Sequence, residues 1–232
     1  MLFNSIDFAI FLPIVFLVYW RLNKNSLTVQ NFFIVVASYV FYGWWDWRFL
    51  TLLFFSSLSD FFIASLMAKT SEQQKRKLLL WCSLGLNIAV LGFFKYYNFF
   101  IDQFATAFSF FGSDINPSRL NIILPVGISF YTFQTLSYTI DVYNGKLPAT
   151  RNFFSFLAFV SFFPQLVAGP IERATNLLPQ FDRRRTFDYA NAIDGCRQIL
   201  WGLVKKIVIA DNAATYVNMI FENADTYSGS TL

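Results

Sequence analysis

Seven predominantly apolar stretches follow one another along this 232-residue chain, at 6–22, 27–47, 49–68, 78–94, 96–112, 120–142 and 152–171, with only short loops between them. A helix needs about twenty such residues to cross the hydrocarbon core of a bilayer. Backbone in lipid has to satisfy its hydrogen bonds within the segment, so the stretches read as helices. Composition agrees: 56% of residues are hydrophobic and only 14% charged, against roughly a quarter charged in a typical soluble domain. Phenylalanine occurs 31 times, and an aromatic content of that order would expose apolar patches that soluble monomers rarely carry. The expected fold is all-α: a polytopic transmembrane bundle of about seven spans forming one domain, with lipid as the solvent for most of its surface.

The charges then act as topology signals. The formal net charge of +4 sits in short loops, with no basic arm or separate basic domain, which speaks against a nucleic-acid partner. The basic loops are Arg21–Lys24, Lys69–Lys77 and Arg173–Arg185. With seven crossings and the amino terminus outside, all three fall on the cytoplasmic side, where Lys and Arg are favoured. The fifth stretch is the weakest, because Asn98, Asp102 and Gln103 interrupt it, and an interfacial position is its alternative. Trp44, Trp45 and Trp47 mark an outer aromatic belt. The first run lacks a basic leader and a small-residue cleavage pattern, so it reads as an anchor and not a signal peptide. Beyond Arg185, Ile193, Cys196, Leu200, Leu203, Val204 and Ile207 share one helical face while Asn191, Asp194, Gln198 and Lys205 share the other. That pattern predicts an amphipathic interfacial helix over 188–210 on the cytoplasmic side.

Candidate functional residues are the polar groups inside apolar runs, since lipid makes an unpartnered one expensive. Asp60 stands alone in the third stretch; a helix-packing carboxylate paired with a neighbouring hydroxyl or base is the plainer reading. The sixth stretch carries Ser129, Tyr131, Thr132, Gln134, Thr135, Ser137, Tyr138, Thr139 and Asp141, suited either to helix-to-helix hydrogen bonds or to a polar cavity wall. Pro125 with Gly127, and Pro164 with Gly169 and Pro170, break two neighbouring helices, which membranes tolerate only beside protein or a water-filled cavity. Gln165 lies in the second break and Glu172–Arg173 follows it, forming either a gate or an interfacial turn. There is no histidine, so no histidine triad or histidine metal site can form from these residues. No phosphate loop, nucleophile elbow or CxxC pair appears. Cys82 and Cys196 are expected to be packing residues, and no metal is expected.

The segments LPVGISFYTFQTLSYTIDVYNG (Leu124–Gly145), SFFPQLVAGPIERATNLLPQF (Ser161–Phe181) and GLVKKIVIADNAA (Gly202–Ala214) resemble motifs of the membrane-bound O-acyltransferase family. The opening MLFNSIDFAIFLPIVFLVYW and the run FYGWWDWRFL are similar to its bacterial branch, which acts in alginate O-acetylation. The resemblance implies an acyltransferase of the inner membrane that moves acetyl groups onto an exported cell-surface polysaccharide. It implies acetyl-CoA as donor substrate without a bound cofactor, and an extracytoplasmic relay protein or polysaccharide as acceptor. The family's catalytic histidine has no counterpart here, and Tyr227–Leu232 stops where the family continues, so truncation at the carboxyl end is expected. The residues carried over are therefore substrate-binding and not catalytic: Gln134, Asp141, Gln165, Glu172 and Arg173. Two other readings stay open, a non-catalytic membrane subunit of a polysaccharide-modifying complex and a transporter or flippase.

Overall fold

The computed structural model describes residues 1–22, 26–110, 123–167, 169–170 and 172–222. Lys24, positions 111–112 and 120–122 of the fifth and sixth stretches, Ile171 and Tyr227–Leu232 lie outside them. Among the described residues all regular structure is helical. The chain runs through α1 (Ile6–Arg21), α2 (Leu27–Gly43), α3 (Phe49–Lys69), α4 (Gln73–Leu91), α5 (Tyr97–Phe110), α6 (Ile128–Tyr143), α7 (Phe153–Ser161), α8 (Phe163–Leu166), α9 (Ala174–Asp182), α10 (Tyr189–Val204) and α11 (Asp211–Glu222). Two compact units form: Met1–Trp20 with the described part of Arg185–Leu232, and Arg21–Arg184.

In the first unit, Phe187 sets its ring edge-on to Trp20 at 5.0 Å and to Phe16 at 6.3 Å. The Asp188 carboxylate caps α10 by accepting from the Ala190 and Asn191 N–H groups, which satisfies donors the first helical turn leaves open. The helix expected over 188–210 forms, as α10 and a π-helical turn over Lys205–Ala210. Neither α10 nor that turn has a buried residue, and Cys196 is exposed.

The second unit is a bundle of α2 to α9. Its α4 and α6 run antiparallel, as the contacts at their two ends show. Arg76, in the first turn of α4, donates to the Tyr143 carbonyl at 2.9 Å at the last residue of α6. Lys95 lies 3.5 Å from the hydroxyl of Ser129 at the start of α6. The nineteen residue steps from Arg76 to Lys95 rise about 28 Å along a helix, close to the thickness of a bilayer core. The fourth and fifth stretches do not reverse between them: α4 passes through a π-helical turn over Gly92–Tyr96 straight into α5. Gly92 keeps right-handed helical angles (φ −60, ψ −44), and no proline stands nearby to stop the ladder. This 35-residue helix, Gln73–Ala107, and the 21-residue α3 are long and apolar enough to cross a membrane. Cys82, expected in packing, is exposed. The inward face of α4 is the one that carries the buried Ser83 and Asn87.

The seventh stretch is also rearranged. After nine residues of α7 the chain bends at Phe162, makes the four-residue α8, and returns as α9. Asn31 near the start of α2 holds both limbs, donating from Nδ2 to the Ser155 hydroxyl at 3.1 Å and to the Phe181 carbonyl at 2.7 Å. The two limbs therefore begin and end at one level, as a helical hairpin. Replacing Asn31 by alanine leaves the buried Phe181 carbonyl short of its strongest donor, at a cost of about 2 kcal/mol. A lowered thermal midpoint of the purified protein is the expected reading. A wild-type midpoint would mean that the limbs are held by packing alone.

Candidate functional site

Polar side chains in an apolar bundle either pair with each other or stay open, and α6 carries both kinds. Ten of its sixteen residues are buried, among them Tyr131, Thr132, Gln134, Thr135, Tyr138, Thr139 and Asp141. On one face, a closed network gathers around Asp60 of α3, which is fully buried. Ser83 donates to Asp60 Oδ1 at 2.6 Å, and Asn87 Nδ2 donates to the two carboxylate oxygens at 3.1 and 2.9 Å. Thr135 donates to Asn87 Oδ1 at 3.3 Å, and the Thr139 hydroxyl lies 3.4 Å from that of Ser83. Three helices are thus tied by side chains that satisfy one another, and no salt bridge among the described residues reaches Asp60. The network is saturated, which fits packing better than ligand binding. Sequence reasoning singled out Asp60 but missed Ser83 and Asn87. Their spacing of four on an apolar helix was the available signal.

The open chemistry lies where the two helix breaks meet. Gly127, at the entrance to α6, has φ +76, and its Cα approaches the Leu166 carbonyl so closely that a Cβ would sit 2.5 Å from that oxygen. Only glycine combines a left-handed backbone with that approach. Tyr42 donates to the Val126 carbonyl at 2.7 Å, and the Phe163 N–H donates to the Ser38 hydroxyl at 3.2 Å, so α2 braces both breaks. The hydroxyls of Tyr131 and Thr132, one turn into α6, are buried without a hydrogen-bond partner among the described residues. Buried hydroxyls are ordinarily satisfied, which makes this junction the natural place for a polar ligand atom.

The five residues singled out from the sequence do not converge. Gln134 is buried and donates to the Phe159 carbonyl at 2.9 Å, joining α6 to α7. Gln165 is buried at the tip of the hairpin and donates to the Pro170 carbonyl at 3.1 Å, closing its turn. Asp141 is buried in the last turn of α6, where its carbonyl accepts from the Lys146 N–H at 2.9 Å. Glu172 is half-buried, Arg173 is exposed at the entrance to α9, and no salt bridge joins the two.

Charge is divided between the ends of the bundle. Lys69, Lys75, Arg76, Lys77, Lys146, Arg151 and Arg183 collect at the end where α6 stops and the hairpin begins. At the other end Arg48 is neutralised by Asp46 at 2.6 Å. The hydrogen bonds from Arg48 hold the Asp46 carboxyl below its ordinary range.

Comparison with known proteins places these features. The chain is 39% identical, over 95% of its length, to a probable alginate O-acetylase of Pseudomonas putida, and equally identical over the same share to that of Pseudomonas aeruginosa. It is 35% identical, over 98% of its length, to a peptidoglycan O-acetyltransferase of Helicobacter pylori. The chain spans a little under half the length of these relatives, 45%, 42% and 48% respectively. No family model and no solved structure matches it. The resemblance carried by Leu124–Gly145 and Ser161–Phe181 extends along almost the whole chain.

Proposed function

We propose, from a chain related to the bacterial alginate O-acetylases and to a peptidoglycan O-acetyltransferase, that it forms part of a membrane-bound O-acetyltransferase acting on an exported cell-surface polysaccharide. The observation that carries the proposal is this similarity over at least 95% of the chain, with both helix breaks inside the matched motifs.

In this reading acetyl-CoA delivers the acetyl group from the basic end. A polysaccharide hydroxyl, or a relay protein, receives it at the end bearing Trp44, Trp45 and Trp47. The acceptor oxygen attacks the thioester carbonyl, the C–S bond breaks, and the thiolate leaves with the proton taken from the acceptor. A general base has to carry that proton, and with no histidine in these 232 residues the reading assigns it to a residue outside them. Tyr131 and Thr132 then offer hydroxyls to a reacting oxygen at the junction, and Gln165 shapes the passage by holding the hairpin tip. Arg173, the N-cap residue of α9 beside that tip, offers its charge to a donor that has entered the passage.

The chain sits in the inner membrane with its amino terminus outside. Five crossings (α1, α2, α3, α4 and α6), an α5 that continues the α4 helix past the outer surface and a hairpin α7–α9 that enters and leaves by the cytoplasmic side put the basic loops before α2, before α4 and after α9 inside. That arrangement replaces seven full spans and is supported by the unbroken α4–α5 helix and by Asn31 holding both limbs of the hairpin.

The test is transfer of labelled acetyl from acetyl-CoA to cell-surface polysaccharide in membranes carrying the full reading frame that contains this chain. Arg173→Ala is expected to raise the KM for the donor about tenfold with kcat kept, the loss of one charge-assisted contact. An unchanged KM would remove Arg173 from the donor path. No acetyl transfer by the full frame, with substrate flux in proteoliposomes instead, would replace the enzyme reading with transport.

A further inference from the structure

We propose that the cleft between the α6–α7 loop and the end of α9 is a binding site for a phosphoryl group, gripped by Arg151 and Arg183. The cleft has a volume of about 650 Å³ and is lined by Leu147–Asn152 from the loop and by Leu178, Pro179, Asp182 and Arg183 from α9. Neither guanidinium has a hydrogen bond or ion pair among the described residues. Elsewhere in the chain Arg76 caps α6, Arg48 pairs with Asp46, and Arg185 lies over the Tyr19 ring at 5.7 Å; what sets Arg151 and Arg183 apart is that two unbonded guanidiniums line one cleft.

Both walls are fixed before any ligand arrives. On the loop side the Thr150 N–H donates to the Tyr138 hydroxyl at 3.1 Å. Two residues on, Asn152 Oδ1 accepts from the Phe154 and Ser155 N–H groups at 3.0 and 3.3 Å. Arg151 stands between these two anchors. On the other wall, the Phe181 carbonyl is held at 2.7 Å by Asn31, two residues before Arg183. A site whose backbone is already held loses little entropy on binding.

The lining decides the class of ligand. Two guanidiniums against one carboxylate, Asp182, leave a net positive cleft, and planar forks of donors match the oxygens of a phosphoryl group. Pro148, Pro179 and the two leucines add an apolar wall for the body of the molecule that carries it. Asp182 favours a hydroxyl or amine on that body. The cleft opens at the basic end, where two sources of this chemistry exist, a phospholipid headgroup and a water-soluble phosphorylated compound. The proposal does not depend on the acetyl-transfer reading.

The test uses the full protein purified in neutral detergent, with thermal unfolding followed in sodium pyrophosphate and, separately, in mixed micelles of phosphatidylglycerol or phosphatidylcholine. A ligand that binds the folded state alone raises the midpoint. A rise of a few degrees with pyrophosphate identifies a soluble ligand, and a rise with phosphatidylglycerol but not phosphatidylcholine identifies a lipid. In either case the Arg151→Gln/Arg183→Gln protein should weaken binding at least about tenfold, the loss of a charge-assisted contact. Asp182→Asn, which removes the one negative side chain, should strengthen it and reads the site even where the double variant folds poorly. No shift with any anion, or equal shifts in wild type and both variants, overturns the proposal.

Discussion

Gly127→Ala is expected to cost about 3 kcal/mol or more, from a disfavoured left-handed backbone and a backbone clash together. Gly127 has φ +76, and the added Cβ would meet the Leu166 carbonyl oxygen at 2.5 Å. That oxygen belongs to a backbone held by Phe163 N–H on Ser38 and by α7 behind it, so it cannot rotate aside like a side chain. The entrance to α6 has to move away from the hairpin, taking Val126 from its bond with Tyr42. Gly145 supplies the control: its φ is +71, with nothing within 4 Å of a Cβ. Gly145→Ala should therefore cost only the backbone preference, about 1 kcal/mol. Thermal midpoints of the two proteins in one detergent test the difference. Equal losses would mean that the approach of Gly127 to Leu166 is not what holds the junction.

Asp60→Ala is expected to be nearly as damaging, by about 3 kcal/mol, because it strands the Ser83 hydroxyl and the Asn87 amide without their shared acceptor. Both donors are buried on α4, with exposures of 0% and 1%, and neither has water to turn to in an apolar bundle. Asp60→Asn should fall between wild type and alanine. Its carbonyl still accepts from Ser83, while its NH₂ opposes the Asn87 amide. Asp60→Leu with Ser83→Ala and Asn87→Leu should recover most of the loss, since an apolar cluster of similar volume has no unsatisfied groups. The order wild type, asparagine, alanine in thermal midpoint is the measurement. An alanine protein as stable as wild type would show that Asp60 does not tie α3, α4 and α6.

Much of this was legible without coordinates, and for a local reason. Hydropathy acts residue by residue, so the positions of α2, α3, α4 and α6 follow from runs of apolar side chains. The breaks at Pro125–Gly127 and Pro164–Pro170 follow from residues that cannot continue a hydrogen-bond ladder. The family resemblance was equally legible, because the motifs are contiguous. Asp60 could be marked as needing a partner, since burial of a carboxylate is costly wherever it occurs.

What only the tertiary structure decided is how these pieces meet. The partners of Asp60 stand 23 and 27 positions away on α4, and the ligands of Asn31 stand 124 and 150 positions away on the hairpin. No pattern along one helix encodes such distances. Gln134, Asp141, Gln165, Glu172 and Arg173 looked alike as polar residues in or beside apolar runs. Packing gave the first three to the scaffold and left the hydroxyls of Tyr131 and Thr132 without partners among the described residues. The seventh stretch had the length and apolarity of a span and became one limb of a hairpin, because the Phe181 carbonyl of the return limb α9 finds its donors in Asn31 and in Ser155 of α7. Apolarity determines that a segment is buried or lies in lipid; the hydrogen bonds it can close with distant segments determine whether it crosses or turns back.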